Sequence, residues 1–326
     1  MKSRKRRTGI ITLYMLLVVF AGSIVYNVFD NQRFIVVQQE IAIERLPESF
    51  DGFKILQISD LHGRTFGENQ ANLINAINSL DYDMIAFTGD MNASTKKDDS
   101  LNNSQAILDL LDGIENKESM FWVDGNTGPY AMESYGGTKT GELTDIGKVL
   151  QDKGCKILVL PYAITRGNDK IWITPEMPEI GFEEAYRGRE TDNCILSVNR
   201  EAHAPFQEIH GNHEVKILLI HTPKQINLTA EQLKQYGAYL DYDLILAGHY
   251  HGGQWRLPWI GALYIPSPTT GINNSGYFPS QIAVKGWNYY GNIPQYVSAG
   301  LGASDHTLFA GFRLFNTPEI RNVSMI

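Results

Sequence analysis

Five hydrophobic runs in this chain each end in a residue that can bind a metal ion, and no other feature of the sequence constrains the fold as much. In chain order the residues that follow the runs are Asp60 and His62, Asp90, Asn126, His221, and His249 and His251. Open α/β sheets place their binding sites at the carboxyl ends of the strands. We therefore expect these seven oxygen and nitrogen donors to lie together at one edge of a sheet.

The elements around the first three runs predict an α/β fold. A helix is predicted over about residues 70–80, because its apolar side chains recur at spacings of three and four residues. A second amphipathic helix is predicted over residues 105–114 and a third over residues 143–153. Strands that alternate with helices favour a largely parallel sheet with right-handed crossovers.

After His251 the chain is rich in predicted strands, separated by Gly, Pro and Asn turns. These strands are predicted over residues 262–268, 295–302, 308–315 and 319–326. We divide the chain into an N-terminal membrane anchor over residues 1–30, a tether and first strand over residues 31–50, and one catalytic domain over residues 51–326.

The N-terminus carries a long apolar segment behind a basic cluster. Residues 8–29 contain no charged side chain, and five of the first seven residues are Lys or Arg. The segment matches the ~20 residues that cross a bilayer as a helix. The basic cluster is expected to stay in the cytoplasm, which places the catalytic domain outside a single-pass anchor. The alternative is a signal peptide cleaved near Ala21, which would release a secreted protein.

The charge balance excludes a general nucleic-acid-binding protein. The formal net charge is -8. Because the N-terminal cluster is basic, the rest of the chain without it is more acidic than this value indicates. An acidic domain repels the phosphate backbone, so no nucleic acid partner is expected. An anionic substrate would have to be captured locally, and bound metal ions would do that.

The donor types predict which metals and which chemistry. Asp, Asn and His without thiolate suit Mn, Fe or Zn. Asp90 has two carboxylate oxygens and could bridge two such ions, and two ions about 3.5–4 Å apart clamp a phosphoryl group and turn a bridging water into hydroxide. The chain's two cysteines, Cys155 and Cys194, lie away from the donor residues. They could form a disulfide or remain unpaired and buried.

The motifs Asp-x-His, Gly-Asp, Gly-Asn, His and Gly-His-x-His resemble the signature of the calcineurin-like metallophosphoesterase superfamily, from about residue 54 to the C-terminus. The sequences GHYHGGQWRLP and YVSAGLGAS, together with the anchor, are similar to a bacterial membrane-associated phosphoesterase branch. The resemblance implies a four-layer fold, a β-sandwich of mixed sheets flanked by helices. It also implies two divalent ions, one held by Asp60, His62 and His251, the other by Asn126, His221 and His249, with Asp90 bridging.

One position departs from that signature. The superfamily has His after the Gly-Asn, where this chain has Thr127, and Thr cannot act as a cation or an acid at neutral pH. The missing motif recurs as Gly-Asn-His-Glu over residues 211–214, but Asn126 follows a predicted strand, whereas the downstream Asn precedes one. We assign Asp90 and Asn126 as catalytic residues. His213 is a candidate substitute for the lost histidine, as are its neighbours His203 and His210.

The sequence thus predicts a metal-dependent phosphoesterase, either a phosphodiesterase or a pyrophosphatase, at the outer face of the cytoplasmic membrane. Its position favours a lipid-linked or cell-envelope phosphoester as the substrate. The alternative is a non-catalytic metal-binding membrane protein that lost turnover together with the superfamily histidine.

Overall fold

The computed structural model describes residues 2–93, 101–135, 138–176, 205–206, 208–209, 211–224, 241–265, 276–304 and 311–326. Cys194, His203 and His210 lie outside these residues, so the predictions that concern them are not addressed by the structure.

The described chain contains four α-helices and sixteen strands. They are, in order, α1 (Lys2–Asn31), β1 (Ile35–Ile41), β2 (Lys54–Ile58), α2 (Ala71–Asn78), β3 (Met84–Thr88), α3 (Gln105–Gly113), β4 (Met120–Val123), β5 (Met132–Tyr135), β6 (Thr138–Leu143), α4 (Asp145–Asp152), β7 (Cys155–Ile157), β8 (Tyr162–Arg166), β9 (Asp169–Thr174), β10 (Val215–Leu219), β11 (Leu244–Ala247), β12 (Trp255–Leu257), β13 (Gly261–Tyr264), β14 (Gly286–Tyr290), β15 (Ile293–Val297) and β16 (Glu319–Met325).

Two six-stranded mixed sheets form the centre of the domain. The first has the order β1-β16-β2-β3-β4-β7, and all of its pairings are parallel except that of β16 with β2. The second has the order β14-β15-β11-β10-β9-β8, with a parallel centre and an antiparallel hairpin at each edge. Parallel strands require crossovers, which the helices between β2, β3, β4 and β7 provide.

The sheets pack face to face around a shared apolar core. The first sheet contributes Ile55 and Phe121 to this core, and the second contributes Ile217 and Leu246, all of them fully buried. The other face of the first sheet packs on α2, α3 and α4 through a second apolar cluster. The fold is therefore the expected β-sandwich of mixed sheets flanked by helices.

The three helices predicted after the N-terminal apolar segment are present as α2, α3 and α4, and each is one to three residues shorter than predicted. The β5–β6 hairpin was not predicted, because part of it is polar and lacks a clear alternation. The strand predicted over residues 308–315 is wrong over 311–315, where only an isolated bridge from Leu314 to Trp255 occurs. That stretch turns around the side chain of Arg313, which is fully buried and binds carbonyl groups of its surroundings.

Helix α1 is long and apolar enough to cross a membrane over Arg7–Asn31. Its apolar side chains are exposed along most of its length, but its last turn packs on the domain. The side chain of Asn31 exchanges two hydrogen bonds with the backbone of Arg313, and Thr317 donates a hydrogen bond to Asp30. The end of α1 is therefore part of the domain fold, and cleavage near Ala21 would leave this contact in place.

Candidate metal centre

The seven predicted donors come from the carboxyl ends of five strands. Asp60 and His62 follow β2, Asp90 follows β3, and Asn126 follows β4 in the first sheet; His221 follows β10, and His249 and His251 follow β11 in the second. The donor-bearing ends of the two sheets lie together, and there the structure brings the donors into two groups. Asp90 lies between the two groups and is close to members of both.

The first group consists of Asp60, His62 and His251, whose donor atoms all lie within 4.8 Å of one another. The Nε2 atom of His251 lies 3.6 Å from Oδ1 of Asp60. The Nε2 atom of His62 lies 3.6 Å from Oδ2 of Asp90, which belongs to the second group. Asp90 thus faces both groups with the same carboxylate oxygen.

The second group converges on one ring nitrogen. The Nε2 atom of His221 lies 2.9 Å from Oδ1 of Asn126, 3.1 Å from Oδ2 of Asp90 and 3.1 Å from Nδ1 of His249. Four different side chains therefore aim a donor atom at the same small volume. Asn126 is the exposed member, whereas the other three are buried, so the group opens to solvent on the Asn126 side.

Five of the donor residues have a left-handed backbone conformation. The φ angles are 51° at Asp60, 48° at His62, 56° at Asp90, 73° at His249 and 50° at His251. For residues other than glycine this conformation costs of order 1–3 kcal/mol each and persists where the surrounding structure imposes it. Strain at so many donors indicates that the loops are shaped for the side chains they present.

Two glycines without side chains allow the donors to approach. A Cβ atom on Gly125 would lie 2.0 Å from Oδ1 of Asp90, and one on Gly248 would lie 2.4 Å from Oδ2 of Asp60. Both contacts are far shorter than atoms tolerate, so these positions require glycine in the observed arrangement. The glycines that precede Asn126 and His249 are therefore part of the site.

Burial shifts the protonation of the donors strongly. It raises the pKa of Asp60 to about 7. Burial alone would lower the pKa of His221, but the adjacent Asp90 carboxylate outweighs it and raises the pKa to about 9. Burial, and then the neighbouring His221, lowers the pKa of His249 to about 3. Close, buried carboxylates and imidazoles with opposed pKa shifts are common at functional sites.

The donor set fits divalent transition-metal ions. The Nε2 atom of His249 and the Nδ1 atom of His251 are buried with no hydrogen-bond partner among the described residues, which is uncommon for buried polar atoms. The Nδ1 atom of His221 lies 2.8 Å from the carbonyl oxygen of Thr88, a contact that directs Nε2 towards the group. Oxygen and imidazole donors without thiolate are the set that Mn, Fe and Zn accept.

Thr127 and His213 lie in different surroundings. Thr127 is buried next to the second group, and its backbone N–H donates to Oδ1 of Asp90 at 2.8 Å. Its hydroxyl has no hydrogen-bond partner within the described ranges. His213 is exposed at the amino end of β10, whereas His221 follows the carboxyl end of that strand. The structure therefore does not bring His213 to the donors.

A family model described as calcineurin-like phosphoesterase matches residues 53–253, a range that includes all seven donors. The chain belongs to the calcineurin-like phosphoesterase family. Members of this family bind divalent metals and are hydrolases, so the chain is a metallophosphoesterase with two groups of side chains suited to metal ions.

Individual relatives of this calcineurin-like phosphoesterase carry related names. The uncharacterized metallophosphoesterase YkuE of Bacillus subtilis is 26% identical over 84% of this chain and 79% of its own length. A transmembrane protein with a metallophosphoesterase domain from Danio rerio is 23% identical over 67% of this chain and 45% of its own. The phosphopantetheinyl hydrolase PptH from Mycobacterium tuberculosis aligns with a TM-score of 0.38 at 12% identity, over 76% of this chain and 89% of that one.

The metallophosphoesterase domain also contains a buried residue that the motif analysis missed. The Arg313 guanidinium donates hydrogen bonds to the carbonyl oxygens of His251, Ala299, Gly300, Gly302 and Asn316. Burial lowers its pKa to about 10, so it remains a cation at neutral pH. It fixes the backbone of His251 and of the loop that packs against Asp60. A lone Arg among apolar residues carries no motif that would have indicated this contact.

Proposed function

We propose that this chain hydrolyses a phosphodiester or a pyrophosphate with a dinuclear metal centre at the outer face of the cytoplasmic membrane. The observation that supports this best is the convergence of Asn126, Asp90 and His249 on Nε2 of His221, with the first group joined through Asp90. Asp60, His62 and His251 would hold one ion, Asn126, His221 and His249 the other, and Asp90 both.

The bound ions would supply Lewis acidity that polarises the phosphoryl group and lowers the pKa of water. The protein's part is to orient the donors. The hydroxyl of Ser59 and the backbone N–H of His249 donate to the Asp60 carboxylate. The backbone N–H of Thr127 engages Oδ1 of Asp90 and leaves Oδ2 directed at the histidines. Such contacts hold donors in one geometry.

The surroundings of Thr127 bear on which substrates turn over. Its hydroxyl is buried, lies one residue after the exposed Asn126, and has no hydrogen-bond partner among the described residues. We infer that it donates a hydrogen bond to an oxygen of the phosphoryl group. A neutral hydroxyl cannot protonate a poor leaving group at neutral pH, so the site favours good leaving groups such as a pyrophosphate.

Membrane association supports a substrate of the cell envelope. The apolar helix α1 and the transmembrane relative from Danio rerio suggest that the domain stays at a membrane. We propose a lipid-linked or cell-envelope phosphoester as the substrate class.

The proposal is tested by assaying the purified full chain with bis-p-nitrophenyl phosphate and with inorganic pyrophosphate, each against added Mn²⁺. Hydrolysis should require the metal. His249→Gln should lower the rate by at least ~10²-fold, because it removes a ligand of the ion that would polarise the phosphoryl group. His213→Gln is the matched control, because His213 is exposed at the other end of β10, and it should keep the wild-type rate.

The alternative function, metal binding without turnover, has its own support in the replacement of the superfamily histidine by Thr127. It predicts tight binding of metal with no hydrolysis of either substrate. That result would contradict the proposed phosphoesterase activity.

A further inference from the structure

Large apolar side chains project into solvent from the turn of the β12–β13 hairpin and from the segment beside it. Trp259 is fully exposed and Ile260 is 58% exposed in the turn, and Phe278 and Ile282 are 72% and 66% exposed in residues 276–282. We call these four residues the hairpin patch. Large apolar side chains exposed on neighbouring segments are typical of interaction sites.

The two parts of the hairpin patch are joined by hydrogen bonds. The Gln281 side chain exchanges two hydrogen bonds with the backbone of Ala262, at 2.6 and 2.9 Å. The backbone N–H of Phe278 donates to the carbonyl oxygen of Leu263 at 2.8 Å. The two segments that carry the exposed side chains are therefore held against each other.

Residues 312–317 connect the β12–β13 hairpin to the end of the apolar helix α1. The backbone N–H of Arg256 on β12 donates to the carbonyl oxygen of Leu314 at 2.9 Å. The next residue, Phe315, contacts α1. The ring of Phe315 stacks on that of Tyr26 with centroids 5.9 Å apart, and the backbone N–H of Phe315 donates a hydrogen bond to the side chain of Asn27. Residues 312–317 thus lie between β12 and the end of α1.

The charge of this part of the chain fits a lipid surface. Residues 244–304 contain no Asp or Glu, although the whole chain of 326 residues has 36. Lys and Arg occur there only at Arg256 and Lys285. A carboxylate is costly to bring into a bilayer, so a stretch without Asp or Glu can enter its interface at lower cost. Tryptophan is enriched at this depth because its ring is apolar and its N–H is polar.

We propose that the hairpin patch inserts into the interface of the same bilayer that α1 enters. The helix and the hairpin would then hold the domain at two points and fix its orientation relative to the bilayer. Because His251 lies four residues before Trp255, this orientation holds the metal centre near the lipid headgroups. The inference depends on α1 lying in a membrane and not on hydrolysis of any substrate.

Tryptophan fluorescence tests the insertion directly. The chain has five tryptophans and none of them lies in α1, so quenching by bromine atoms on lipid acyl chains reports only on the domain. We would reconstitute the full chain in phosphatidylcholine nanodiscs with and without brominated acyl chains. Wild-type emission should fall in the brominated discs, and most of that loss should disappear in Trp259→Phe, a change at a fully exposed position.

Trp172→Phe is the matched control. Trp172 lies on β9, where its ring N–H donates to Glu214, so this variant should keep the wild-type quenching. Equal quenching of wild type and Trp259→Phe, or none in either, would overturn the proposal. Protection of Trp259 from a water-soluble quencher without any quenching by bromine would show that another protein surface covers the hairpin patch, and would also overturn it. All of these outcomes are independent of phosphoesterase activity.

Discussion

The backbone N–H of Thr127 donates a hydrogen bond to Oδ1 of Asp90 at 2.8 Å, at the position where the superfamily has a histidine. This contact needs no particular side chain, so the substitution leaves the orientation of Asp90 intact. The hydroxyl of the Thr127 side chain is buried and has no hydrogen-bond partner among the described residues. Under the proposed function, the backbone N–H of Thr127 would orient Asp90 and its hydroxyl would contact the substrate, so the two roles would belong to different atoms of one residue.

Substitution of Thr127 should separate these two roles. Thr127→Val removes only the hydroxyl and preserves the shape of the side chain, so metal content should stay at the wild-type level. The rate of pyrophosphate hydrolysis should fall by about tenfold, as expected for the loss of one hydrogen bond of about 1.4 kcal/mol in the transition state. Thr127→Ser, which keeps the hydroxyl, is the control and should stay near the wild-type rate. Equal rates for Val and wild type would exclude a role for the hydroxyl.

How much of this site the sequence could predict depends on the kind of contact. The donors follow hydrophobic strands, so the rule that parallel strands gather their carboxyl ends predicted that they would meet. The contacts of Arg313 and Asn31 could not be predicted, because they join residues distant in sequence through backbone carbonyls that every residue has. The apolar residues around Arg313 predicted a strand because they indicate burial. They do not indicate that the buried guanidinium turns the chain at this point.

Arg313 should affect metal binding without contacting the donor side chains. Arg313→Lys keeps the charge but cannot reproduce five hydrogen bonds in a planar fork. The affinity for Mn²⁺ should fall by roughly 10–100-fold, the usual effect of losing a contact that orients a metal ligand. Arg45→Lys, at the half-exposed pair with Asp243, is the control and should leave affinity unchanged. Isothermal titration of both variants measures this, and unchanged affinity in Arg313→Lys would contradict the positioning role.

The buried Glu319 should make stability depend on pH. Burial alone would raise its pKa, but Lys285 at 2.8 Å and the hydroxyl of Tyr296 at 2.6 Å outweigh burial and lower the pKa below 4.5. A folded-state pKa below the unfolded value means that the stabilisation is fully present above about pH 4.5 and is lost as pH falls through the folded-state pKa. The melting temperature of the wild type should therefore fall as the pH is lowered below about 4.5.

Glu319→Gln should remove that pH dependence. At pH 7 it should unfold at a lower temperature than wild type, because Lys285 loses its partner, and the difference should shrink below pH 4.5. Glu44→Gln, an exposed control, should follow the wild-type curve at every pH. Parallel melting curves of Glu319→Gln and wild type across the whole range would show that the carboxylate does not stabilise the fold.

Metal content per chain tests the central claim most directly. The full chain, purified without chelator, should contain close to two transition-metal ions by elemental analysis. Asp60→Asn should lose one of them, because Asp60 belongs only to the group with His62 and His251, whereas Asp90→Asn should lose both, because Asp90 faces both groups. A single ion per chain whose binding is unaffected by Asp90→Asn would contradict the dinuclear centre.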